Sequence, residues 1–185
     1  TRDWSSDVCS SDLDVLLFVF GEIDCRAHIL KQADIRTMTF KQVVEEVVDS
    51  YLEMVLRYLD KGFDILICDA VYSANNMEGN TDLEFPYFGT VEQRNKVTAY
   101  FNFLLKDRSN QYGYSFLESP VNLINPNTLR TNELFYADSV HLNQRLFIPV
   151  MKMIKSQYPV FSEMDLFFYR IKYFFILKKK WLGHL

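Results

Sequence analysis

The amino-acid sequence predicts an α/β fold: a three-layer α/β/α domain built on a parallel sheet. Three observations carry this. The run "VLLFVF" (15–20) is continuous, apolar and rich in β-branched and aromatic residues, as a strand buried on both faces is, and "FDILICDAV" (63–71) reads as a second buried strand. The stretches between them place apolar residues at three- and four-residue steps, the period of an amphipathic helix. The elements then alternate strand, helix, strand, helix, strand, helix, the order of a parallel sheet layered with helices.

Each element has its own local reason. The first strand ends at Gly21. A helix follows once Thr37 or Thr39 caps it, with Phe40, Val44, Val47, Val48, Tyr51, Val55, Tyr58 and Leu59 on one face until Gly62 stops it. After the second strand comes a long polar loop, "YSANNMEGNTDLEFPYFGT", of the length that functional loops have. A second helix begins near Thr90, with Val97, Tyr100, Phe101, Leu104 and Leu105 along one side. "YSFLES" (114–119) is a short third strand, followed by an irregular segment with Pro120 and Pro126, and "FYADSVHLNQRLFIPVMKMIKSQ" leads a loop into a last helix. No internal repeat is present.

The composition excludes several function classes. With 185 residues and 49% apolar content the chain suits one domain with a real core, and 16% aromatic residues argue against disorder. A net charge of −4 leaves no basic footprint for nucleic acid. Cys9, Cys25 and Cys68 make neither a zinc spacing nor an even disulfide framework, which favours a reducing, cytoplasmic setting. No secretory signal opens the chain, although a foreign opening segment leaves the export route undetermined.

Ligands on parallel sheets bind at the carboxyl ends of the strands, and two polar clusters fall at such places. One is "GEIDCRAHI" (21–29), directly after the first strand; the other is "DSVH", Asp138 to His141, ahead of the last helix. A carboxylate three residues before an imidazole folds back in one turn, accepts the Nδ1 proton and leaves Nε2 as a general base, giving two members of a hydrolase triad. The same residues admit a plain structural role, with Asp138 capping the last helix and His141 an ordinary surface histidine.

Together, Gly-x-x-Asp at the end of the first strand (Gly21, Asp24), the later D-x-x-H (Asp138, His141) and the helix-to-strand segment "RNKVTAYFNFLLKDRSNQYGYSFLES" resemble the SGNH/GDSL hydrolase family over residues 15–158. The resemblance implies a flavodoxin-like domain, His141 as the base that activates a serine, Asp138 as its orienting partner, and Gly21 to Asp24 as the family's third block. Ile23 stands where the family's pattern has Asn, so the side-chain oxyanion donor is missing; losing such a donor costs about 10²–10³ in rate in a comparable hydrolase. Arg26 or a backbone N–H would have to replace it. The implied chemistry is hydrolysis of an ester, such as an acyl or acetyl group on a carbohydrate, with no metal or organic cofactor. The alternative is a non-catalytic α/β module that holds a sugar or an anion.

Arg26 and His28 are candidates for holding a substrate's anionic or hydroxyl groups; an Asp24–Arg26 pair that merely fixes the loop is the competing reading. Cys25 as nucleophile has no dedicated base beside it in sequence. Metal binding through Cys25, His28 and His141 lacks the helical spacing that would support it.

The family's nucleophile turn, Gly-Asp-Ser, and its second-block glycine are not found ahead of Gly21. Residues 3–13, "DWSSDVCSSDL", resemble the codon-by-codon translation of a common short-read sequencing adapter. Ser10 and Ser11 are therefore no nucleophile candidates, residues 1–13 are expected to be artefactual, and residues 14–158 to be part of a hydrolase domain whose nucleophile half lies upstream. The family's first strand would then be missing beside residues 15–20, leaving them an exposed apolar edge. The tail, 159–185, packs aromatics and leucines around basic residues, with apolar runs too short to span a bilayer. An accessory helix, weak contact with a membrane surface, disorder and a partner site all fit it.

Overall fold

The computed structural model describes residues 15–73, 87–137 and 141–157. They fall in two compact units divided between Glu118 and Ser119, so the stretch read as one domain over 14–158 contains parts of both. The tail 159–185 lies outside the described residues, among which no helix is long and apolar enough to cross a membrane.

In the first unit, β1 (Val15–Val19), β2 (Asp64–Cys68) and β3 (Ser115–Leu117) form a parallel sheet in the order β1-β2-β3. Leu16 lies opposite Ile65, and Ile67 is opposite Phe116 in the next pair. Between β1 and β2 the chain makes a π-helical turn (Asp24–His28), α1 (Ile29–Arg36) and α2 (Phe40–Leu59); α3 (Val91–Tyr112) joins β2 to β3. Strands added in one direction by right-handed crossovers carry their helices on the same face. Accordingly Val44, Val48, Leu52 and Val55 of α2 and Val97, Phe101 and Leu105 of α3 share one core with Ile65 and Ile67. Each such buried Val, Leu or Ile contributes about 1.5–3 kcal/mol. The helices of this unit thus supply one layer of the three-layer expectation.

The α/β class and the strand order agree with the sequence reading, and β2 is buried on both faces as its apolar run predicts. β1 corrects it. Leu16 and Phe18 turn toward the core, but Leu17 and Val19 are 44% and 63% exposed. Successive strand residues point to opposite faces and α2 and α3 pack on one of them, so only half of the run meets the helices; among the described residues β1 is also an edge of the sheet, as the sequence reading expected. Such an exposed apolar edge is an aggregation hazard.

Both long helices begin on a capping box. The Thr39 and Thr90 hydroxyls accept from the backbone N–H groups of Gln42 and Gln93, whose side chains accept in return from the Thr39 and Thr90 N–H groups. Replacing either threonine by alanine is expected to cost about 1 kcal/mol in urea unfolding. A change at Thr90 that left the midpoint unmoved would show that its cap adds nothing. The buried stripe of α2 holds Val44, Val48 and Val55 as predicted, with Phe40, Val47 and Tyr51 packed against the core; Val43 and Leu52 join it, while Tyr58 and Leu59 lie at the surface.

The second unit contains a region that looked irregular in sequence. There β4 (Ile124–Asn125) and β5 (Arg130–Thr131) pair antiparallel, and the Asn125 side chain accepts from the N–H groups of Asn127 and Thr128 to fold the turn. Two 3₁₀ turns, Glu133–Phe135 and Gln144–Leu146, lead into α4 (Phe147–Gln157). Pro149 is tolerated in the first turn of α4, where its missing N–H would have no intrahelical acceptor.

Candidate functional site

At the carboxyl end of β1 the chain turns at Gly21, whose φ of +91° suits glycine. Phe101 of α3 leaves no room there for a side chain: a Cβ would stand 2.5 Å from its ring. The Cys25 N–H then donates to the Gly21 carbonyl at 2.8 Å, and the Ile29 N–H donates to Asp24 O, five residues back, which makes the π turn. The cluster 21–29, read from the sequence as a loop, is therefore helical from Glu22 onward. Its anchor is the stripe Cys25, Ile29 and Ala33, buried at four-residue steps in the core.

Helical geometry re-pairs the charged residues. Neighbours two apart do not face each other on a helix, whereas neighbours four apart do. The Asp24–Arg26 pair of the sequence reading is therefore absent. Arg26 Nε donates to Glu22 Oε1 at 2.6 Å, and His28 Nδ1 lies 3.1 Å from Asp24 Oδ1. The second Asp24 oxygen accepts from the Tyr51 hydroxyl of α2, whose pKa is raised by burial and by that bond. Tyr51 is itself set by Phe20 and Phe101, with ring centroids 4.7 and 6.1 Å away.

Arg26 and His28 have opposite settings. The Arg26 side chain is 5% exposed, and its guanidinium lies 5.0 Å from the centre of the Tyr87 ring. Arg94 of α3, also buried, lies 4.9 Å from the same ring and donates to the Gly89 carbonyl at 2.6 Å. The Phe88 N–H donates to the Arg26 carbonyl at 3.1 Å. Together these bonds tie Tyr87 to Gly89 onto the π turn. His28 stands at the surface, 47% exposed. Ile23 is exposed as well and offers no side-chain donor.

Cys25 is buried and its thiol is pushed far up, chiefly by burial, so it is an inert core residue. Cys68 is pushed up to about 12, again by burial first and then by Asp69. No group of three metal-ligating side chains occurs among the described residues.

Sequence reasoning missed how the chain leaves β2. Asn102 accepts from the Ala70 N–H at 2.8 Å and donates to the Ala70 carbonyl at 2.9 Å. Asn95 does the same to Ser73, at 2.8 and 3.1 Å. Both are buried on α3. Asn at seven-residue spacing on the buried face of α3 was the available signal, since a buried amide must find partners.

In the second unit, His141 closes a loop: the Ala137 N–H donates to its carbonyl at 2.7 Å. Leu142 bridges Tyr136 in the antiparallel sense, and the Asn143 side chain donates to the carbonyls of Leu134 and Tyr136. Asp138 lies outside the described residues. Asn143 caps the 3₁₀ turn Gln144–Leu146 ahead of α4, its side chain accepting from the Arg145 N–H at 2.9 Å.

The structure thus brings Gly21, Ile23, Asp24, Arg26 and His28 together in the first unit, and places His141 in the second. Fold and site define an α/β chain with a polar helical turn at the carboxyl end of a parallel strand. No protein-family model matches the chain, and no curated protein matches it in sequence.

Proposed function

We propose that this chain belongs to a serine ester hydrolase of the SGNH/GDSL type, acting on an acyl or acetyl group carried by a carbohydrate. The observation that carries the reading is the Gly21–Asp24 turn, which sits directly at the carboxyl end of β1 in a parallel sheet, where α/β folds bind ligands. In this reading His141 takes the proton from the attacking serine and Asp138 fixes its tautomer. The serine is assigned to a Gly-Asp-Ser turn encoded upstream. The donor that Ile23 lacks is supplied by backbone: the N–H groups of Glu22, Ile23 and Asp24 precede the first helical bond, Cys25 N–H to Gly21 O, and so have no intrahelical acceptor.

The test joins the chain to its natural upstream coding sequence and follows cleavage of a short-chain aryl ester. The joined protein is expected to hydrolyse it, the chain alone to stay at background, and His141→Ala to lower the rate by about 10²-fold or more. Robust activity of the chain alone, or an indifferent His141→Ala, defeats the mechanism. Ile23 favours one other reading, a non-catalytic module that binds a sugar; an upstream sequence with no Gly-Asp-Ser turn would select it.

A further inference from the structure

Tyr87 stands between two guanidinium groups that come from different elements. Its ring centre is 5.0 Å from the guanidinium carbon of Arg26 on the π turn and 4.9 Å from that of Arg94 on α3. Both arginines are buried, and an arginine over an aromatic face is held more strongly the less water it meets. Two backbone groups brace the same place: the Phe88 N–H donates to the Arg26 carbonyl, and Arg94 Nη1 donates to the Gly89 carbonyl. The Tyr87 hydroxyl is buried too, yet it has no hydrogen-bond partner among the described residues. The ring, not the hydroxyl, therefore does the fastening. Arg26 passes the hold on to Glu22, whose carboxylate it draws one turn along the helix at 2.6 Å. The direction matters, because a carboxylate is favoured at a helix N-terminus. A released Glu22 would compete there with a developing oxyanion for the backbone N–H groups of residues 22–24.

We propose that Tyr87 is a positioning residue of the ester hydrolase site: clasped between Arg26 and Arg94, it fastens the turn after β1 to α3 and keeps the Glu22 carboxylate off the backbone donors of that turn. This rests on the hydrolase reading above and gives Arg26 a task in it, holding Glu22 rather than substrate.

The test begins with the full chain labelled with nitrogen-15. The side-chain Nε–H signals of Arg26 and Arg94 are expected to lie upfield, shifted by the Tyr87 ring. Tyr87→Phe should keep both shifts, since it removes only the hydroxyl. Tyr87→Leu should abolish them and move the amide signals of Glu22, Ile23 and Asp24, with the helix content by circular dichroism unchanged. In the protein joined to its natural upstream sequence, Tyr87→Leu should lower kcat by about 10- to 10²-fold, the scale on which a misplaced group tells, with KM nearly unchanged, and Tyr87→Phe should match the parent. Adding Glu22→Gln to Tyr87→Leu should restore much of kcat, because the neutral amide no longer competes as an anion. A purely packing role for Tyr87 would not be rescued at Glu22.

Arginine signals without the ring shift, unmoved turn amides in Tyr87→Leu, a Tyr87→Phe as damaging as Tyr87→Leu, or a Tyr87→Leu that Glu22→Gln leaves unrescued each overturns the proposal. Should Tyr87→Leu fail to fold, Arg26→Gln, alone and with Glu22→Gln, takes its place in the same comparison. The fate of the clasp is separable from that of the hydrolase reading. A joined protein without ester hydrolysis sinks that reading, and the ring and amide shifts still decide whether Tyr87 holds the turn. Hydrolysis at the full rate in Tyr87→Leu sinks only the role of Tyr87.

Discussion

Gly21→Ala is expected to destabilise the first unit by about 2–5 kcal/mol, combining left-handed backbone strain with an overpacked core. At φ +91° an alanine pays for its Cβ before any contact is counted. That Cβ then lands 2.5 Å from two ring atoms of Phe101, far inside contact distance. Phe101 is fully buried and set against Tyr51, so it has nowhere to retreat without disturbing the support of Asp24. Urea unfolding followed by circular dichroism reads the loss, and the double variant Gly21→Ala with Phe101→Leu separates the causes. Removing the ring relieves the clash and leaves the strain, so its penalty relative to Phe101→Leu should be smaller. A Gly21→Ala protein with an unchanged midpoint would mean that the turn is held otherwise.

Asn102→Leu is expected to cost about 2–5 kcal/mol, although leucine has nearly the same shape. The asparagine satisfies both backbone polar groups of Ala70 in the interior. Removing it strands a buried donor and a buried acceptor, each worth about 1–3 kcal/mol when left unmade. Asn95→Leu strands the corresponding pair at Ser73. Amide exchange gives a local readout: protection of the Ala70 N–H should fall in Asn102→Leu, and that of Ser73 in Asn95→Leu. Wild-type stability of either variant would show that water or another group takes over the bonds.

The parts of this fold that the sequence made legible are those written in apolar runs and caps. β2 is a run of buried residues and reads as one; Thr39 and Thr90 open helices because threonine followed three residues on by glutamine closes a reciprocal pair of bonds. The helical turn at 22–36 was hidden because its apolar stripe of Cys25, Ile29 and Ala33 is narrow and lies among charged residues, one of which, Arg26, is buried as well, so the periodic signal is weak. Once that segment is helical, the Asp24–His28 and Glu22–Arg26 pairs follow from spacing alone. Arg94, Asn95 and Asn102 were hidden for the opposite reason. They are polar residues that α3 buries, so hydropathy sends them to the wrong face and only their partners, distant in sequence, explain them.

The two asparagines of α3 also act as a gauge. Seven helical residues make about two turns and advance about 10.5 Å, and amides two turns apart on α3 engage the backbone of Ala70 and of Ser73, three residues apart in the chain. The segment from 70 to 73 is thereby length-locked. Inserting or deleting one residue there would leave only one amide engaged at a time, whereas substitutions that keep the count change nothing in the match. The position at which the chain leaves Ser73 is thus set by a helix that lies after it in the sequence.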